Sequence, residues 1–269
     1  MLVVLGGIVG LIYPSAANLW NEYHQSRIIG GYAQAVEELD TRDYTQILQA
    51  AVEYNKRLAG DVARFEPDEA DTEEYNNLLD VTGTGIMAYL EIPKIKVKLA
   101  VYHGVDEAIL QVAAGHIEGS SLPVGGVGTH IAISGHRGLT SASLFTHLDE
   151  LEPGDKFYIQ VLGQTMAYEI DQVDVVLPDD FEPLRIEKSE DYCTLITCTP
   201  YGVNSHRLLV RGTRVPYTPE AQAEYESASG GFEVDKDWVV VGVGCVGFLA
   251  CAFMFARRFI GKKGEAEDA

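Results

Sequence analysis

Three residues in the second half of the chain have the side chains that an acyl-transfer enzyme requires. Cys198 ends a run of β-branched residues, and a Pro-Tyr-Gly turn follows it before a second apolar run that begins with Arg207. His136 lies in a glycine-flanked bend, Ser-Gly-His-Arg-Gly, after another strand-like run. A cysteine thiolate is a strong nucleophile, an imidazole can take and return its proton, and a guanidinium can donate hydrogen bonds to an oxyanion. We predict that these residues catalyse thiol acyl transfer and that the flanking Thr197 and Thr199 support them.

Nearby residues of the same types are weaker candidates. His206 adjoins Arg207 on a predicted strand, so its side chain should point to the opposite face. Arg211 shares the face of Arg207 but lies roughly 13 Å further from the turn. Cys193 is an odd number of residues from Cys198, which puts the two thiols on opposite faces and predicts a buried structural role for Cys193. Four other histidines are expected to be structural: His103, His116, His130 and His147.

A middle region rich in short strand signals must position these side chains. Many short strands with one short helical pattern, at residues 144–151, favour a closed or nearly closed β-barrel over a layered α/β fold. Gly163 and Gln164 are predicted to form a two-residue hairpin turn. We therefore assign residues 81–217 to an all-β catalytic domain. The β-prone runs are residues 87–92, 97–102, 129–134, 156–162, 166–171, 173–177, 192–197 and 208–215.

The region before this domain is predicted to be helical. Apolar residues recur at three- and four-residue steps over residues 22–58, and an Asp-Thr capping signal at Asp40 divides the pattern into two amphipathic helices. Residues 60–74 are acidic, contain Pro67 and lack periodicity, so we predict a loop. We assign residues 21–80 to a helical region that contains this loop.

Both ends of the chain carry membrane signals. Residues 1–20 are predicted to be a membrane segment or signal anchor because the first twelve or so are apolar. Residues 218–237 have the polar composition of a linker. Residues 238–256 form a charge-free run of about nineteen residues, which suits a transmembrane helix. The basic residues in the tail at 257–269 predict a cytoplasmic C-terminus and a catalytic domain outside the cell.

The negative net charge of the chain argues against nucleic acid as a partner. The chain has a formal net charge of −20, whereas nucleic-acid binding requires lysine and arginine to neutralise phosphates. An acidic surface can attract lysine-bearing protein partners, although it also simply solvates an exported domain.

Two stretches of sequence carry a family resemblance. TLITCTPYGVNSHRLLVRG is similar to the Thr-Leu-x-Thr-Cys signature and downstream arginine of sortases, and AISGHRGLTSASLFTHLDEL is similar to their His-Arg-Gly segment. The likeness covers residues 75–217, and the C-terminal span follows the order of the pilin-polymerising class C sortases. The resemblance implies an eight-stranded sortase barrel in a Gram-positive type envelope. It also implies that Cys198 cleaves a Leu-Pro-x-Thr-Gly-like sorting signal between Thr and Gly. A pilin lysine amine would then resolve the thioester, without a metal or organic cofactor.

One segment departs from the class C pattern. Such sortases typically carry a lid with an Asp-Pro-aromatic tripeptide that plugs the active site, whereas residues 64–68 read Arg-Phe-Glu-Pro-Asp. Glu66 could replace the lid aspartate as the partner of Arg207, but no aromatic residue follows Pro67 and Phe65 precedes it. Either Phe65 covers Cys198 from a changed register, or the lid is weak or absent and the segment is a solvated acidic loop.

Three other functions are compatible with parts of the sequence. A sortase with the same site could anchor surface proteins to cell-wall peptide amines. A non-catalytic envelope β-barrel could bind a partner, with Cys198 incidental. A papain-like hydrolase ranks lower, because its cysteine commonly opens a helix and its histidine usually has an Asn or Asp partner.

Overall fold

The computed structural model of the protein describes residues 2–229. The predicted transmembrane segment at 238–256, the tail at 257–269 and the rest of the predicted linker lie outside the described residues. Within residues 2–229, no helix combines the length and the apolar composition that crossing a bilayer requires.

Helices dominate the N-terminal quarter of the chain, as predicted. Asp40 caps α2 by accepting hydrogen bonds from the backbone N–H groups of Arg42 and Asp43, both at 2.8 Å. Asp68 and Asp71 form a reciprocal capping box at the start of α3. The α-helices of the described region are α1 Leu2–Glu37, α2 Thr41–Leu58, α3 Glu69–Asn77, α4 Glu107–Leu110 and α5 Pro219–Ser229.

The strands close into a barrel in the order β1-β2-β3-β4-β7-β8-β6-β5, which confirms the predicted eight-stranded architecture. The β2–β3 and β4–β7 pairs are parallel, and the other neighbours are antiparallel. Parallel neighbours need a crossover connection, so β4 and β7 meet only because the chain returns from β5 and β6. The strands are β1 Ile86–Ile92, β2 Val97–His103, β3 Ala114–His116, β4 Thr129–Ser134, β5 Lys156–Val161, β6 Gln164–Val176, β7 Asp191–Thr199 and β8 His206–Val215.

The barrel is filled by alternate side chains of its strands, as a pleated wall requires. On β7, Cys193 and Leu195 point into this main core, while Ile196 belongs to a separate apolar cluster on the outside. We call this cluster the outer patch. It consists of Ala132 from β4, Leu184, Ile196 from β7 and Leu209 from β8. The wall formed by β4, β7 and β8 therefore has two apolar sides.

The N-terminal helices are fastened to the barrel by buried polar side chains. Gln25 of α1 donates to the carbonyl oxygen of Val112 and accepts from the N–H of Ala100, both at 2.9 Å. Asn55 of α2 forms a two-way amide pair with the backbone of Leu122. Because these bonds satisfy buried backbone groups, they fix where the helices lie on the wall.

Several predicted boundaries were wrong. The first helix begins at Leu2 rather than near residue 22, and α3 occupies part of the predicted 60–74 loop. Residues 173–177 are not a separate strand, because β6 continues through an irregularity between Ile170 and Gln172. The hairpin turn uses Leu162 and Gly163, both with positive φ, one position earlier than predicted. Residues 144–151 contain only a short 3-10 turn, and the predicted linker begins with α5.

Candidate active site

The two cysteines of β7 occupy different environments on one strand. Cys193 is fully buried inside the barrel, where burial raises the pKa of its thiol well above the ordinary value. Cys198 is half-buried and shares the outer face with Ile196, two residues earlier. Within the described residues neither thiol forms a disulfide. The outer thiol is therefore the one that a substrate can reach.

Backbone pairing aligns the three predicted catalytic residues across adjacent strands. Cys198 and Arg207 are direct partners in the antiparallel β7–β8 ladder. On the other side, β4 runs parallel to β7 up to the Ser134–Ile196 pair. The pairing continues past the strand end, because the N–H of Gly135 donates to the carbonyl oxygen of Ile196 at 3.0 Å. This register places His136, in the bend just past the end of β4, beside Cys198 of β7, whose ladder partner on β8 is Arg207. We call these three residues the row, and neighbouring strands in it are about 4.8 Å apart.

Thr197 fastens this row from the inner side of the wall. Its buried hydroxyl donates to the carbonyl oxygen of Gly135 at 2.8 Å, which ties the histidine bend to the cysteine strand. Thr199 is half-exposed at the end of β7, opposite His206 in the ladder. Of the two predicted supporting residues, Thr197 thus has the defined structural contact.

Packing of the bend explains the Gly-His-Arg-Gly sequence around His136. A Cβ atom on Gly135 would lie 2.7 Å from the ring of Phe145, so only glycine lets this ring approach the strand end. The N–H of Phe145 donates to the carbonyl oxygen of His136 at 3.0 Å and closes the bend. Gly138 has a φ of +76° and lies against the ring of Tyr201 from the β7–β8 turn. The bend and the turn therefore support one another.

A carboxylate that was not predicted lies beside His136, the predicted catalytic histidine. Glu107 of α4 places Oε2 at 3.3 Å from Nε2 of His136. A side-chain hydrogen bond from Gln111, and then the one from His136, lower the pKa of the Glu107 carboxyl. No local motif marks Glu107 in the sequence, because it reaches the site through the β2–β3 crossover.

Arg207 differs from its neighbour Arg211 in having no acidic partner. Its Nη1 atom donates to the carbonyl oxygens of Asn204 at 3.3 Å and His206 at 3.1 Å. Among residues 2–229, no carboxylate lies within ion-pair distance of Arg207. Arg211 instead forms a two-pronged ion pair with Asp171, at 2.7 and 3.1 Å. The charge of Arg207 thus remains available to a developing oxyanion.

The predicted lid residues lie next to the site, with one departure from expectation. Phe65 packs on the outer patch and stacks on Phe181 with ring centroids 4.8 Å apart. Arg64 fixes the segment by donating to the carbonyl oxygens of Gly119 at 2.6 Å and Leu184 at 2.8 Å. Glu66 forms no ion pair with Arg207 among the described residues, so the predicted substitute for the lid aspartate was wrong. Pro67 directly precedes the Asp68 cap of α3, which explains why the segment ends here.

A groove continues along the same outer face beyond the patch. It has a volume of about 450 Å³, and Thr194, Leu209 and Arg211 form part of its floor. Buried His130 joins this floor to the loop above it, since its ring nitrogens lie 2.8 Å from the carbonyl oxygen of Arg185 and 2.7 Å from the hydroxyl of Thr194. Burial lowers the pKa of His130 to about 4, which keeps it neutral. His130 thus has a structural role in the groove.

No metal centre is evident in the described part of the chain. Within residues 2–229, no group of three or more His, Cys, Asp or Glu side chains is arranged to hold a metal ion. The candidate site is instead a thiol, an imidazole and a guanidinium on one strand wall, the equipment of a cysteine acyl-transferase.

Comparisons with known proteins agree with this class. A family model described as a sortase domain matches residues 90–215. Sortase D of Bacillus subtilis is 31% identical over 129 residues, covering 47% of this chain and 62% of the relative's own length. The chain therefore spans somewhat less than two thirds of that relative.

Solved structures extend the likeness. Sortase C1 from Streptococcus agalactiae is 48% identical with a TM-score of 0.69, covering 71% of this chain and all of that structure. A sortase C structure from Streptococcus pneumoniae is 45% identical with a TM-score of 0.63, covering 71% of this chain and 98% of its own. The chain belongs to the sortase family of cysteine transpeptidases, and within it to class C.

Proposed function

We propose that this protein cleaves a Leu-Pro-x-Thr-Gly-like sorting signal between Thr and Gly and transfers the threonyl group to a lysine amine of a pilin subunit. The observation that carries the proposal is the row of His136, just past the end of β4, with Cys198 of β7 and Arg207 of β8. Catalysis of this kind requires a nucleophile, a proton carrier and an oxyanion donor around one carbonyl group, and this row supplies all three.

All three residues of the row take part in acylation. The Cys198 thiol gives its proton to His136 as the sulfur bonds to the threonyl carbonyl carbon. Arg207 donates hydrogen bonds to the resulting oxyanion. The carbon–nitrogen bond then breaks, and the glycine amine leaves with the proton from the imidazolium. The product is a thioester between Cys198 and the threonyl carbonyl group.

Transfer repeats the same proton movements in reverse. A lysine amine attacks the thioester carbonyl carbon and gives a proton to His136. The carbon–sulfur bond breaks, and the thiolate of Cys198 takes that proton back from the imidazolium. The new bond is an isopeptide, and no group beyond the two protein substrates is consumed.

The outer face supports binding of an extended peptide. Apolar residues of the signal would occupy the outer patch next to Cys198, and upstream residues would continue into the groove of about 450 Å³. This volume lies in the range of ordinary ligand sites. Phe65 now packs on the patch, so we propose that Phe65, Glu66 and Pro67 belong to a lid that a substrate displaces.

The identity of the acceptor is supported by class membership. The sortase C from Streptococcus pneumoniae has been described with pilin substrate specificity. This chain shares its fold and almost half its sequence, which favours a pilin lysine over a cell-wall peptide amine. We also propose that residues 238–256 anchor the enzyme in the membrane of a Gram-positive type cell, with the barrel outside and the C-terminus inside.

Mass spectrometry of the protein with a sorting-signal peptide tests the proposal. The wild-type chain should gain the mass of the threonyl fragment on Cys198, and Cys198→Ala should gain nothing. Cys193→Ala is the matched control and should still be acylated, because its thiol is inside the barrel. Adding a pilin domain or a wall-peptide amine in parallel then identifies the acceptor. A wild-type protein that binds the peptide but never forms a thioester would instead support a non-catalytic binding module.

A further inference from the structure

The two ring nitrogens of His136 have different surroundings. Nε2 lies 3.3 Å from Oε2 of Glu107, whereas Nδ1 has no hydrogen-bond partner among the described residues. A carboxylate only accepts hydrogen bonds, so the proton of the neutral imidazole belongs on Nε2. Nδ1 is then left with a lone pair that is free to accept a proton.

The Glu107 carboxylate is held in place from its other side. Gln111, the residue that follows α4, donates from its side-chain amide to Oε1 of Glu107. The segment around α4 is anchored in turn, since Leu110 and Ala113 are buried and Gln25 of α1 donates to the carbonyl oxygen of Val112. The contacts therefore link α1, through Val112 and the segment that carries Glu107, to the imidazole of His136. A charge held this way can orient a ring, which a freely rotating side chain cannot do.

The two arginines nearest to the imidazole in the fold do not contact it. Arg137, the next residue in the bend, donates to Asp149 at 2.7 Å. Arg207 lies two strands away, with Cys198 between them in the row. Glu107 is thus the carboxylate that contacts the imidazole in the described part of the chain.

We propose that Glu107 is a positioning residue for His136, fixing the tautomer protonated on Nε2 so that Nδ1 exchanges the proton with the thiol and the amine. The inference rests on the proposed transpeptidase function. During acylation the carboxylate faces an imidazolium, and the attraction between the two favours the charged state on which the leaving amine depends. The arrangement has the logic of the aspartate in a catalytic triad, although here the carboxylate is at the surface.

Solvent exposure of Glu107 and His136 limits how much this contact can change the reaction rate. The Glu107 side chain is 71% exposed and that of His136 is 25% exposed, so solvent screens much of their interaction. Exposed ion pairs of this kind correspond to rate changes of about two- to fivefold rather than the large losses seen for buried triads. Hydrogen bonds from Gln111 and then from His136 lower the pKa of the Glu107 carboxyl, which agrees with an ionised group at neutral pH.

Steady-state kinetics with the sorting-signal peptide test this role. Glu107→Gln and Glu107→Ala should lower kcat about two- to fivefold without changing KM, and Gln111→Ala should lower it less. Because His136 must be neutral to accept a proton and the carboxylate favours its protonated form, loss of the carboxylate should also move the acidic limb of the kcat profile to lower pH. Glu107→Asp should restore part of the wild-type kcat.

Glu150→Gln is the matched control. Glu150 also pairs with an exposed histidine, His147, at 2.7 Å, but neither residue belongs to the site. Its kcat and pH profile should remain those of the wild type. An unchanged or raised kcat in Glu107→Ala would overturn the inference, as would an equal effect of Glu150→Gln. Absence of a thioester in the wild-type protein would instead overturn the proposed function itself.

Discussion

The two faces of β7 show how one strand separates structure from chemistry. Toward the barrel interior, Cys193, Leu195 and Thr197 are buried, and each is committed to packing or to a backbone hydrogen bond. On the outside, Ile196 lies in a patch that a loop covers, and Cys198 is only half-buried at the edge of that patch. Because successive side chains of a strand point to opposite faces, residues with structural contacts and the reactive thiol lie on opposite sides of β7.

The difference teaches that placement, not residue type, distinguishes a reactive thiol from an inert one. Cys193 and Cys198 are on the same strand, yet the inner thiol has no imidazole in its row and is sealed from solvent. The outer thiol lies on β7 between β4, which leads into the bend of His136, and β8, which carries Arg207. The same comparison applies to the arginines of β8, since Arg211 is paired with Asp171 while Arg207 has no acidic partner among the described residues.

Alkylation of the native protein should give the largest contrast between the two faces. Cys198 should react with iodoacetamide at least about a thousandfold faster than Cys193, because the inner thiol must wait for the barrel to open. Peptide mapping by mass spectrometry separates these sites from Cys245 and Cys251. Both thiols should react readily in concentrated urea, which provides the control. Comparable native rates would mean that the barrel wall does not protect its interior.

Replacing the arginines tests the outer face alone. Arg207→Ala should lower kcat for thioester formation about a hundredfold, as expected for loss of one oxyanion donor. Arg211→Ala is the comparison, and since Arg211 lines the groove it should raise KM at most, with kcat within about twofold of the wild type. The two substitutions remove the same side chain from one face of one strand. Equal losses of kcat would contradict the assignment of the oxyanion role to Arg207.

Much of this contrast could be predicted from the sequence because it depends on local pattern. The β-branched run before Cys198 predicts a strand, the short turn predicts that β8 pairs with it, and the two-residue period assigns each side chain to a face. The Asp40 cap likewise marks the start of α2. These features need only neighbours in the chain, so a closed or nearly closed β-barrel and the Cys198–Arg207 pairing could be expected from local pattern, whereas the count of eight strands is implied by the family resemblance.

Other features depend on contacts between distant segments. The parallel pairing of β4 with β7, which brings His136 to Cys198, joins residues about sixty positions apart and leaves no local signal. Glu107 arrives through a crossover around the three-residue strand β3, which is too short to show a period. The Asp68–Asp71 capping box was missed because the acidic residues around it suggested a solvated loop. The position of such features depends on tertiary packing, which local sequence pattern does not predict.

Removing the lid aromatic should produce the smallest effect on the outer face. Phe65 packs against the outer patch, and Ile196, the member of that patch on β7, lies about 7 Å from Cys198 along the strand. Phe65→Ala should therefore raise the rate of Cys198 alkylation only about two- to fivefold, by making local opening of the segment easier. Glu66→Ala is the matched control and should react like the wild type, because Glu66 has no ion pair with Arg207 among the described residues. If Phe65→Ala also reacts like the wild type, the segment is a solvated loop, and if Glu66→Ala reacts faster, the carboxylate rather than the ring restrains the site.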